Sequence, residues 1–111
     1  MNILDLDDVE AIALAILKSS AAASIDLRKY SKGQKTSYAE NIDSVATLLK
    51  NGLIGENTAR ASIDAFTGSQ EQILLAIKAM TKAEAQIAIN AGLSAVAKVV
   101  NKAVGVALLP V

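Results

Sequence analysis

The chain contains no cysteine, no histidine and no tryptophan. Without cysteine there is neither a disulfide framework nor a thiolate nucleophile. Without histidine, the residue that most often serves as general base or transition-metal ligand near neutral pH is missing. Aromatic side chains are limited to Tyr30, Tyr38 and Phe66, and Pro110 is the single proline. Eleven acidic residues balance eleven basic ones. This balance excludes the strongly basic surface of a typical nucleic-acid binder. It also weakens the self-repulsion that keeps copies of a protein apart.

What is present is alanine, followed by isoleucine, leucine and valine. Alanine is the best helix former, and small side chains let helices pack closely. A sheet would need more aromatic and β-branched residues in alternation. The composition therefore points to an all-α fold, a small bundle of four to five helices ending in a long apolar helix. At 111 residues one domain is expected. Within it, residues 1–68 read as a three-helix part and residues 69–111 as a helical part used for packing or assembly. The opening "MNILDLDDVE" is acidic and lacks the basic start of a secretory signal, so synthesis in the cytoplasm without a signal peptide is expected.

Helix starts are marked by capping residues. Asp5 is a candidate N-cap, with Asp7 and Asp8 in the first turn and Leu4 and Val9 spaced as a hydrophobic staple. The first helix is expected to run on through Tyr30, with Val9, Ile12, Ile16, Ala23, Leu27 and Tyr30 on one face. Its small-residue stretch "SSAAAS" offers a place for another backbone to come close. Gly33 reads as its stop, and Ser37 with Glu40 as the capping box of a second helix. Gly52 occupies the C′ position after that helix, and Leu53 can complete a Schellman motif on Leu48. A short third helix is expected after Gly55, closed by Thr67 and Gly68. Ser69 with Gln72, and Thr81 with Glu84, read as two further capping boxes. The second of these leaves two options for residues 70–109: one straight helix, or a bend at Thr81, which the cap residues favour.

The tail "NAGLSAVAKVVNKAVGVALLPV" carries no acid and only two charges, Lys98 and Lys102. Its length suits a membrane span. Each lysine near the centre would cost about 2.5–3.5 kcal/mol, and no aromatic residue anchors either end. Arranged as a helix, the tail is amphipathic, with Asn90, Ser94, Lys98, Asn101 and Lys102 opposite its apolar face. Leu93, Val96, Val99, Val100, Val104, Val106, Leu108 and Leu109 make an arc wider than one neighbouring helix needs. These eight are the candidate interface residues.

Little in the chain points to chemistry. "DLDDVE" reads as a charged helix start, because a calcium loop would need alternating oxygen ligands, a glycine and a distal glutamate. Glu40 and Asp43, one helical turn apart, read as surface carboxylates. The two glycines of "NGLIGEN" are turn residues rather than a phosphate cradle. The one basic cluster, Arg28, Lys29, Lys32 and Lys35 around Tyr30, could contact phosphates or another anion. Its plainer explanation is a helix C-terminus followed by a solvated loop. No cofactor, metal or small-molecule substrate is expected, and nucleic acid is not the expected partner.

These observations lead to a non-enzymatic helical protein that works by association, with copies of itself first. A ring, tube, filament or virion component of microbial or phage origin fits this class. Two alternatives stand beside it. One is an amphipathic membrane-active protein acting through the C-terminal helix, against which the two lysines and the lack of aromatic anchors count. The other is a small adaptor that docks the same helix on a different, helical protein.

Overall fold

A computed structural model of the chain describes residues 2–19, 32–77 and 81–109, apart from the side chains at 17, 19, 32–35 and 77. The described residues form four helices and no strand: α1 Leu6–Ser19, α2 Lys32–Lys50, α3 Glu56–Ile77 and α4 Lys82–Val104. This is the expected all-α bundle. Successive helices pack on one another, and α1 closes the arrangement by lying along α4 and touching α2. The α1–α4 pairing is the most extensive.

Three helix ends follow the local rules. The Asp8 N–H donates to the Asp5 carboxylate at 3.0 Å, and the Asp5 N–H donates back to the Asp8 carboxylate at 2.9 Å. Leu4 and Val9, either side of that cap, are both buried. At the end of α2, Gly52 takes φ +72°, with its N–H on the Leu49 carbonyl and the Leu53 N–H on the Leu48 carbonyl. Those are the two bonds of a Schellman motif. Thr81 caps α4 reciprocally with Glu84, at 3.0 and 3.1 Å. The bend between α3 and α4 is therefore real, and one straight helix over residues 70–109 is excluded.

Other boundaries differ from expectation. Gly33 does not stop a helix; it lies in the first turn of α2, and Ser37 and Glu40 fall inside that helix. Nor do Thr67 and Gly68 close α3, which passes through them and through Ser69 and Gln72 to Ile77. The physical reason is the unbroken face Ala59, Ile63, Thr67, Gln70 and Leu74, all buried at three- and four-residue spacing. Continuous burial along that face outweighs the local stop signals at Thr67 and Gly68. The expected division at 68/69 consequently falls within a helix. The extension of the first helix beyond Ser19, with Ala23, Leu27, Tyr30 and "SSAAAS", lies outside the described residues.

A close approach between helices does occur, at Gly92. A Cβ there would lie 3.0 Å from Ile16 Cγ1 and 3.2 Å from Ile12 Cγ2. Glycine at this point lets the branched side chains of α1 sit against the α4 backbone, with Ile12, Ile16, Ala88, Ile89 and Leu93 forming the buried seam.

Candidate functional site

Five of the eight candidate interface residues face inward. Leu93, Val96, Val100, Leu108 and Leu109 are buried among the chain's own helices. Val104 and Val106 are half-buried. Only Val99 is substantially open to solvent, at 43 %. The apolar arc of the tail is thus largely satisfied at home, because α4 is packed by α1, α2 and α3 together. Its unusual width reflects three neighbours within one chain.

The tail also leaves the helical path earlier than expected. Gly105 adopts φ +77° and ends α4, donating its N–H to the Asn101 carbonyl at 2.9 Å. The chain then folds back onto α4. The Asn101 side chain grips Leu109 at both backbone groups, accepting its N–H at 2.8 Å and donating to its carbonyl at 2.9 Å. This clamp holds Leu108 and Leu109 in the core. Asn101 belongs to the polar face by sequence, yet its amide supplies the two-point contact that turns an apolar tail inward.

Large apolar side chains are left exposed on α1, on α4 and at the end of α2, where Leu48 and Leu53 are 39 % and 70 % exposed. Val9, Ile12 and Ile16 are buried against the bundle. Leu14 stands two residues from both Ile12 and Ile16, about 160° round the helix from each, and is 52 % exposed. Leu6 is 76 % exposed, and Ala13 is half-buried. So α1 carries leucines outside the face that the bundle covers, set among the charges of Glu10 and Lys18. Ile87 on α4 is also exposed, at 60 %. The sequence does carry this signal: "VEAIALAILK" has too many aliphatic residues for a single buried stripe.

Asp43 is not the surface carboxylate expected from its spacing to Glu40. It is 3 % exposed and accepts N–H bonds from Asn2, Ile3 and Leu4 at 3.0, 2.8 and 2.7 Å. The Thr47 hydroxyl adds a weaker contact at 3.3 Å. Burial opposes the charge, but the three backbone donors and the hydroxyl outweigh it and hold the carboxyl below its ordinary value. Both oxygens are engaged, so Asp43 acts as the anchor of the N-terminal strap. The shallow depression beside it is lined by Asn2, Glu40, Ser44, Thr47 and Leu48. A second buried polar contact joins α2 to α3, where the Tyr38 hydroxyl lies 2.9 Å from Thr67 Oγ1. Burial pushes the Tyr38 phenol well above its usual range.

Among the described residues, no three of Asp, Glu, His or Cys gather as a metal-holding group. Of the basic cluster, Arg28 and Lys29 lie outside the described residues. Lys32 and Lys35 have backbones in the first turn of α2, and their side chains lie outside the description. Among the described residues, α4 is the one helix long and apolar enough to cross a membrane by length and composition. Eight of its residues, from Ala85 to Val100, are already buried inside the bundle. No protein-family model matches the chain, and neither a curated protein nor a solved structure matches it.

Proposed function

We propose that this protein is a non-enzymatic helical association module that works by binding copies of itself. The observation that carries this reading is α1. The large apolar side chains of an amphipathic helix normally face the interior, but α1 leaves Leu6 and Leu14, which alternate with Glu10 and Lys18, 76 % and 52 % exposed. Fully burying one leucine contributes about 1.5–3 kcal/mol, so covering the exposed parts of Leu6 and Leu14 on both copies favours association. Balanced charge supports the same reading, since copies do not repel one another.

The contact surface proposed from sequence therefore moves from the tail to α1, with Val99 the tail residue still placed to contribute. A ring, tube, filament or virion subunit would combine such a surface with a second contact elsewhere on the molecule. The test is sedimentation velocity of the wild-type protein beside Leu6→Gln and Leu14→Gln. Both side chains are exposed, so the variants keep the fold. Wild type should sediment faster with rising concentration, and the variants should not. Identical concentration-independent sedimentation of all three overturns the proposal.

The membrane reading rests on α4 alone, and it requires the bundle to open. Flotation with anionic liposomes separates it: co-flotation of the folded protein, lost on Lys98→Glu, would favour lipid over self-association.

A further inference from the structure

The outer side of α1 carries more than leucine. Leu6, Glu10, Leu14 and Lys18 follow one another at four-residue spacing and form a single ridge along the helix. Glu10, Leu14 and Lys18 are all exposed. Within this ridge, the charged pair Glu10 and Lys18 is symmetric about Leu14. Glu10 lies four residues before it and Lys18 four residues after, each about 6 Å along the axis. The charges at these two equidistant positions are opposite.

From this symmetry we infer that α1 pairs with α1 of a second copy, antiparallel, about a two-fold axis passing at Leu14. Antiparallel alignment on that axis places Leu14 against the partner's Leu14. It also places Glu10 beside Lys18 of the partner subunit, and Lys18 beside the partner's Glu10. One surface then serves as both halves of the interface, which is the requirement for a closed two-fold pair. A parallel pairing in register would instead set Glu10 on the partner's Glu10 and Lys18 on the partner's Lys18. The charges thus select direction and register, and the leucine supplies the attraction. A foreign partner would have to reproduce the same alternation of charge and leucine, whereas a second copy carries it already. This inference rests on the proposed self-association and names its surface and symmetry.

The test uses three charge-reversal forms, all at exposed positions. Glu10→Lys alone sets Lys against the partner's Lys18, and Lys18→Glu alone sets Glu against the partner's Glu10. Each should weaken dimerisation at least tenfold at low salt. An equimolar mixture of the two single variants should associate again, because every cross-pair is then opposite in charge. The double variant, Glu10→Lys with Lys18→Glu, should self-associate like wild type. Circular dichroism confirms that each variant keeps its helix content. Association of wild type that is unchanged by either single reversal overturns the α1 pairing while leaving self-association standing. A mixture that stays monomeric while wild type dimerises overturns the antiparallel register. Wild type that is monomeric throughout overturns both readings.

Discussion

Replacing Gly68 and Gly92 by alanine should move stability in opposite directions, although both glycines lie inside helices. Alanine is favoured over glycine in a helix interior by about 0.8–1.0 kcal/mol. At Gly68 that gain is free of any steric cost, because an added Cβ meets nothing within 4 Å. Gly68→Ala should therefore raise stability by about 0.5–1 kcal/mol. At Gly92 the same methyl would sit 3.0 Å from Ile16 Cγ1 and 3.2 Å from both Ile12 Cγ2 and Ile16 Cδ1. Branched side chains in a helix hold one χ1 rotamer, so neither isoleucine can swing clear. Relief requires α1 and α4 to separate slightly, and overpacking of this kind costs about 1–3 kcal/mol. Subtracting the helix gain leaves Gly92→Ala destabilised by up to about 2 kcal/mol, with Gly92→Val worse. Thermal unfolding followed by circular dichroism reads both, at about 4 °C per kcal/mol for a domain of this size. Gly92→Ala as stabilising as Gly68→Ala would refute the close approach of α1 and α4. Loss of stability in Gly68→Ala would mean that α3 breaks at residue 68 after all.

The buried polar contacts give further expectations. Asn at position 43 can accept on one side only, so Asp43→Asn should cost about 2–4 kcal/mol, read by urea unfolding at pH 7. Because the Asp43 carboxyl is held below its ordinary value, near 3.9 when unfolded, its contribution is complete above about pH 5. It is lost as the pH falls through the lower folded value, so wild type should lose stability in acid more steeply than Asp43→Asn. Tyr38→Phe removes one hydrogen bond and should cost about 1 kcal/mol, again read in urea. Val100→Glu places a charge in the core and should unfold the domain, at about 3 kcal/mol or more. Val99→Glu should leave the circular dichroism spectrum unchanged. Loss of assembly in a Val100 variant would consequently report unfolding rather than a broken interface.

Much of the fold was legible because short-range rules governed it. Asp5, Gly52 and Thr81 each satisfy helix-end groups with atoms only a few residues away, so local spacing identified them. Thr67, Gly68, Ser69 and Gln72 show the opposite case. Their local chemistry spells a stop and a restart, while the buried face from Ala59 to Leu74 demands continuity, and packing prevailed. Asp43 and Asn101 were illegible for another reason. Their partners, the backbone groups of residues 2–4 and of Leu109, are brought near only when the chain has folded. Which neighbours the tail packs against is not legible, because an apolar arc looks the same whether they belong to one chain or to several; here five of its eight candidate interface residues are buried within the chain itself. The exposed side of α1, by contrast, was present in "VEAIALAILK" as an excess of aliphatic residues over one stripe.

The central claim, that this chain acts by associating with itself, is tested most directly by the mass of the full-length protein in detergent-free buffer. Multi-angle light scattering across a concentration series from micromolar to millimolar provides it. Self-association predicts a mass that rises from the 11.5 kDa of one chain towards a dimer or larger multiple as concentration increases. A mass fixed at one chain throughout that range would contradict it.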